Sequence, residues 1–177
     1  MKRGKKVLII VLASILFLML AAIIGWTSVP NKINENNSFT FNENAKSGVV
    51  ALILDNSEYK NELARTIGSK LGLDIRIDGF GLQDIHEVNN SAYDAVVVMA
   101  PVYAGRLQRD AKKWINGISA SDNIILFVTS RGMTDIEMKV DTVSSATPQI
   151  GETKALPADV NDMADILIGK IMTKIWN

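Results

Sequence analysis

One stretch constrains this chain more than any other: Val7 to Trp26 runs for 20 positions without a charge, and only Ser14 and Gly25 interrupt its apolar side chains. As a helix rising about 1.5 Å per residue, the run is about 30 Å long, which matches the hydrocarbon core of a bilayer. Lys2, Arg3, Lys5 and Lys6 stand directly before it, and Trp26 closes it where an interfacial aromatic sits. Basic residues on that flank are retained on the cytoplasmic side. The sequence therefore predicts a basic cytoplasmic segment over residues 1–6, a single-pass anchor over 7–26 in the cell membrane, and an extracytoplasmic remainder. A cleaved signal peptide is the competing reading. Its apolar core is shorter, about 7–15 residues, and ends in a small-x-small site, which Ile23-Ile24-Gly25-Trp26 provides poorly. Reversed orientation is a further alternative, because the positive-inside rule is a bias.

Beyond the run, residues 27–47 turn polar and rich in asparagine, too poor in apolar surface to fold alone, and read as a linker. Phe39 and Phe41 interrupt it and suit a short edge element packed on the domain beyond. Residues 48–177 have room for one domain. Lysine plus arginine and aspartate plus glutamate balance at 19 each, so no global charge argues for nucleic acid. The absence of cysteine excludes disulfides, thiolate nucleophiles, iron–sulfur clusters and cysteine zinc sites. His86 is the single histidine, set in a polar segment with no second ligand at a metal-binding spacing, so no metal site is expected.

The domain alternates between two periods. Gly48–Leu54, Ala95–Ala100 and Asn123–Val128 are continuous apolar runs, as strands covered on both faces require. Asp74–Asp78 alternates, as a strand nearer an edge does, and Val140–Ala146 is a weaker candidate for a last strand. Between them, Leu63, Ala64, Ile67 and Leu71 recur at helical spacing and Gly72 ends that helix. Leu82–Val88 suits a brief helix. Leu107, Ala111, Trp114, Ile115 and Ile118 form a second stripe, and Val160, Met163, Leu167, Ile171 and Ile175 a closing one, with Pro157 near its first turn. Strands alternating with helices predict an α/β domain: a doubly wound parallel sheet with helices on both faces.

In such sheets ligands bind beyond the carboxyl ends of the strands, at the switch point of strand order. Three loops are candidates. After the second buried strand comes Pro101-Val102-Tyr103-Ala104-Gly105-Arg106, where Pro101 is expected to end the ladder and Gly105 to allow a tight turn. Tyr103 offers a flat face to a planar ligand, or packs as an ordinary side chain. With Tyr93-Asp94 leading into the strand, this segment resembles the flavodoxin-like family, and element order from about Gly48 to Trp176 is similar as well. The resemblance implies FMN as cofactor, its ring beside Pro101, Val102, Tyr103, Ala104 and Gly105, and its phosphate near Asn56 and Ser57. Thr129, Ser130 and Gly132 of the third loop would meet the anion or the far edge of the flavin; an ordinary turn is the alternative.

The first loop departs from the family pattern. Members that bind FMN carry a turn close to T-x-T-G-N-T, whereas this one reads Asp55-Asn56-Ser57-Glu58-Tyr59-Lys60-Asn61, with no glycine and two carboxylates. Asn56, Ser57 and Lys60 remain available to a phosphate, and Asp55 or Ser57 equally suits a helix cap. Arg106, Arg109, Lys112 and Lys113 form a basic stripe, either a solvated face or a surface for an anionic partner or lipid headgroup. Two functions are expected. One is an FMN-dependent electron carrier or small oxidoreductase tethered near a quinone or redox protein partner. The other is a flavin-free interaction module of the same fold at the cell surface. A hydrolase finds little support, because Ser130 lacks a nucleophile-elbow context.

Overall fold

The computed structural model describes residues 38–103, 105–119, 122–130, 138–145 and 159–176. The expected anchor over 7–26, the first part of the linker, Ala104, Gly132 and Pro157 lie outside the described residues. Among the described residues, no helix is long and apolar enough to cross a membrane.

Strands β1 (Phe39–Phe41), β2 (Gly48–Leu54), β3 (Ile75–Gly81), β4 (Ala95–Tyr103), β5 (Arg106–Leu107), β6 (Ile124–Thr129) and β7 (Asp141–Ser144) alternate with helices α1 (Glu58–Lys70), α2 (Arg109–Gly117) and α3 (Val160–Trp176). In space the strands run β1-β3-β2-β4-β6-β7, with β5 hydrogen-bonded to β4 alone. β2 pairs parallel with β3 and β4, and β6 pairs parallel with β4 and β7. Renumbered in chain order, those five parallel strands read 2-1-3-4-5, the flavodoxin-like variant of the doubly wound sheet. Its switch point lies between β2 and β4.

The buried runs are apolar at every position because each face carries helices. Val50, Leu52, Val97, Met99, Ile125 and Phe127 face α1 and α3, packing with Leu63, Ile67, Leu167 and Ile171. Ala51, Ile53, Val96, Val98, Leu126 and Val128 face the other way, onto Ala111, Trp114 and Ile115 of α2. Burying each large side chain of this kind stabilises the fold by about 1.5–3 kcal/mol, so both layers are needed to offset the entropy of ordering the chain.

Four details refine the sequence reading. The segment after β3 is two 3-10 turns, Leu82–Glu87 and Asn90–Ala92, which bury Leu82 and Ile85 where a full helix would lie. Pro101 closes the ladder with β6 opposite Thr129, yet β4 continues to Tyr103 and folds back as a hairpin on β5. Leu107 accordingly belongs to β5, and the stripe of α2 begins at Ala111. Finally, β1 lies inside the expected linker: its two aromatics place it antiparallel along β3, Phe39 opposite Gly79 and Phe41 opposite Ile77. Glycines make room for both rings, since a Cβ at Gly68 or Gly79 would run into Phe41 or Phe39. Between them Thr40 Oγ1 donates to buried Asp78 at 3.2 Å, which also accepts from Arg76 Nε at 3.0 Å. A strand that would otherwise be an open edge is thereby covered.

Candidate functional site at the carboxyl ends of the parallel strands

At the end of β2 the chain enters α1 through three residues. Ser57 has an extended backbone and caps the helix, its Oγ accepting from Lys60 N at 3.4 Å. Asp55 turns back on the same loop. Its Oδ1 accepts from the Ser57 backbone N–H at 3.1 Å, and its Oδ2 accepts from Lys60 Nζ at 2.5 Å. Lys60 is 1 % exposed, one turn before Leu63 and Ala64 on the apolar stripe of α1. Burial pushes its ammonium below the ordinary lysine range, and the neighbouring Asp55 carboxylate pulls it back up. Asn56 is exposed and accepts from Asn61 Nδ2 at 3.0 Å. Tyr59 stacks on Phe127, ring centroids 6.4 Å apart, and burial followed by the Asp159 charge raises its phenol above the usual tyrosine value.

The β4–β5 hairpin extends from the strand next to β2. Leu54 at the end of β2 pairs with Met99, so Tyr103 lies four residues further along, roughly 13 Å past the end of β2 at strand spacing. Val102 is buried, Tyr103 is 63 % exposed, and Arg106 pairs opposite Tyr103. Gly105 takes φ +73°, a left-handed conformation that glycine adopts without strain. Gln108, 8 % exposed, ties the hairpin to α2: its N–H donates to the Pro101 carbonyl at 3.1 Å, and its Oε1 accepts from Ala111 N at 2.8 Å. Exposed Arg109, Lys112 and Lys113 continue along α2 from exposed Arg106. Thr129 ends β6 opposite Pro101, and half-buried Ser130 comes next in the chain.

The fold therefore brings Asn56, Ser57, Pro101, Val102, Tyr103, Gly105, Thr129 and Ser130 to one edge of the sheet. Ala104 and Gly132 lie outside the described residues. Among the described residues, cavities of about 530 and 450 Å³ open beside β1, where Phe39 lines both and Asn56 reaches the larger of the two. Among the described residues no group of three or more His, Asp or Glu side chains is placed to hold a metal ion, and His86 is exposed in its 3-10 turn.

The donors that Ser57 and Lys60 would offer an FMN phosphate are already committed. The Ser57 amide and the Lys60 ammonium already serve Asp55, and the Ser57 hydroxyl serves the helix. A phosphate dianion there would meet the Asp55 carboxylate, with Glu58 exposed alongside. Lys60, a phosphate contact on sequence grounds, is instead committed to Asp55. The signal for this is in the sequence: a lysine in register with Leu63, Ala64 and Ile67 on an apolar stripe requires a buried counter-ion.

No protein-family model matches the chain, and no curated protein matches it. Solved structures are similar in part. A flavo di-iron protein from Thermotoga maritima aligns at 11 % identity and a TM-score of 0.45, over 74 % of this chain and 37 % of its own length. The chain thus spans little more than a third of that protein. The flavoenzyme FerB, an NAD(P)H:(acceptor) oxidoreductase from Paracoccus denitrificans, aligns at 14 % identity and a TM-score of 0.38, over 72 % of this chain and 95 % of its own. General stress protein 14 from Treponema denticola, solved in complex with FMN, aligns at 12 % identity and a TM-score of 0.35, covering 72 % and 79 %. These scores carry no functional argument. The strand order itself gives the identity of the fold: the described domain is flavodoxin-like.

Proposed function

We propose that this chain is a membrane-tethered, flavodoxin-fold interaction module that works without FMN and docks a protein partner on the edge formed by the β4–β5 hairpin and α2. The Asp55–Lys60 pair carries this reading, because Asp55 takes up the Lys60 ammonium and the Ser57 N–H, two of the donors the first loop could offer a phosphate, and places a carboxylate beside them. The hairpin supplies the alternative use of the edge. Its exposed Tyr103 stands beside Arg106, with Arg109, Lys112 and Lys113 continuing the positive charge, a composition that suits an acidic partner. Residues 7–26 supply the tether and the basic flank sets the domain outside. Fold alone does not decide function, so the edge chemistry has to.

The test is the visible absorbance of the full chain, purified in mild detergent and then titrated with FMN. A colourless protein that leaves FMN fluorescence unchanged is expected. A flavin spectrum, or quenching that saturates at one equivalent, overturns the reading. A photo-crosslinking residue in place of Tyr103 should then give a discrete adduct in cells that Arg106→Glu removes; an adduct indifferent to that charge reversal counts against the hairpin.

A second reading keeps the flavin. The exposed Tyr103 at the switch point offers a flat face where the resemblance puts an isoalloxazine ring. In that case the domain is a tethered electron carrier or small oxidoreductase with a quinone or redox protein partner. The same titration decides between the two.

A further inference from the structure

We propose that the Asp55 carboxylate is a built-in anion occupying the place of a ligand's phosphate, so that this fold carries a latent phosphate site closed by one of its own side chains. The inference rests on the flavin-free reading and gives it a mechanism. A helix N-terminus reached by a short loop presents backbone amides and the positive end of the helix dipole, and folds of this strand order use that end for phosphates. Here two donors of that kind are present at the head of α1. Ser57 N–H and Lys60 Nζ converge on one anionic group, and that group is the two carboxylate oxygens of Asp55, at 3.1 and 2.5 Å.

The second observation is Lys60 itself. A lysine 1 % exposed on the apolar stripe of a helix has no packing reason to be there, since methionine or leucine would fill the same volume without desolvating a charge. Its presence is explained by an anion at the head of α1. Charge balance gives the same answer. One carboxylate balances one ammonium, and a phosphate dianion added to the pair would leave the loop with excess negative charge in a partly dry setting. Asp55 is thus the residue that decides specificity at this edge. It rejects phosphorylated ligands, whether nucleotide-like or inorganic, and leaves neutral planar ligands and protein surfaces unaffected.

Removing the resident anion should open the site. Asp55→Gly takes away the charge and clears the space, and Asp55→Asn takes away the charge alone. The full chain in mild detergent is the sample, orthophosphate the probe, and chloride at matched ionic strength the control. In Asp55→Gly, millimolar orthophosphate is expected to raise the thermal midpoint by roughly 5 °C or more, with a smaller rise in Asp55→Asn and none in the wild type. If Asp55→Gly folds only with phosphate present, that rescue is the same result in stronger form. Should Asp55→Gly and Asp55→Asn respond to orthophosphate no more than the wild type does, folded or not, the inference fails. Adding Lys60→Met to Asp55→Gly is expected to abolish the response, and a response that persists assigns the binding elsewhere.

Titration of the wild type with FMN and with riboflavin keeps this result separate from the proposed function. Riboflavin bound at least as tightly as FMN overturns the flavin-free reading and supports phosphate exclusion. FMN bound more tightly than riboflavin overturns both. Neither flavin bound supports both.

Discussion

Replacing Asp55 by asparagine keeps the shape of the side chain and removes the charge that Lys60 faces across 2.5 Å. The lysine side chain is 2 % exposed, so the variant leaves an ammonium buried with only a neutral acceptor. Breaking a buried pair from one side costs about 3–5 kcal/mol. Lys60→Met acts on the other side, and less severely. The Asp55 side chain is 16 % exposed and keeps the Ser57 N–H, so the orphaned carboxylate is partly solvated and the expected cost is about 1–3 kcal/mol. With both replaced, no buried charge remains, and the double variant should lie within about 1 kcal/mol of the wild type or above it. Thermal unfolding of the full chain in mild detergent, monitored by circular dichroism, measures the cycle. At about 2–4 °C per kcal/mol, Asp55→Asn should lower the midpoint by roughly 6–20 °C. The pH dependence adds a second check. In the folded state burial lowers the Lys60 pKa below the ordinary lysine value of 10.5, so the unfolded chain binds the proton more tightly. Stability lost to that mismatch is regained as pH rises from the lowered pKa towards 10.5, and losing Asp55 widens the window. The deficit of Asp55→Asn should therefore shrink as the solution is made alkaline. An Asp55→Asn protein within about 2 °C of the wild type, or one whose deficit grows with pH, would refute the argument that a buried charge pair organises this loop.

Three further outcomes rest on packing and burial. Gly169→Ala on α3, where an added Cβ meets nothing within 4 Å, should stabilise by about 0.5–1 kcal/mol. Gly68→Ala, equally helical, should fail to do so because its Cβ would approach the Phe41 ring to 2.8 Å; a midpoint gain equal to that of Gly169→Ala would remove the socket argument. Phe41→Ala should cost about 1–3 kcal/mol, less than a fully buried phenylalanine, and a fragment starting at Lys46 should melt below one that retains β1. Tyr59, whose phenol is raised above 10.0 by burial and by Asp159, contributes stability that is complete below that value and lost as pH climbs through the folded pKa. Alkaline melting curves of Tyr59→Phe should accordingly lack part of the wild-type decline, and curves that superimpose count against it.

Much of the described fold was legible in local pattern. Apolar runs at 48–54, 95–100 and 123–128, and helical stripes through Leu63 and Leu167, became β2, β4, β6, α1 and α3 because periodicity is a property of neighbouring residues. The shared carboxyl edge was legible for the same reason: strands that alternate with helices run parallel and place their carboxyl ends together. Phe39 and Phe41 gave away β1, since two aromatics in an asparagine-rich stretch have little reason to be there unless something covers them.

The features that local pattern left open depend on partners distant in the chain. Strand order is set by which β-strands meet, and no single segment records that β4 lies next to β2 and not β3. The hairpin beyond Pro101 was hidden because proline reads as a ladder's end, whereas its carbonyl still accepts from Gln108. Lys60 is the clearest case. Along the chain its register with Leu63, Ala64 and Ile67 calls for a counter-ion, but nothing there says which anion supplies it. Only when α1 is laid on the sheet beside α3 does its ammonium lose water, and the cost of that desolvation compels it to take the nearest carboxylate, Asp55. The sequence by itself determined an α/β chain whose candidate loops lie beyond β2, β4 and β6. Tertiary burial decided that the donors of Ser57 and Lys60 at the head of α1 are taken by Asp55.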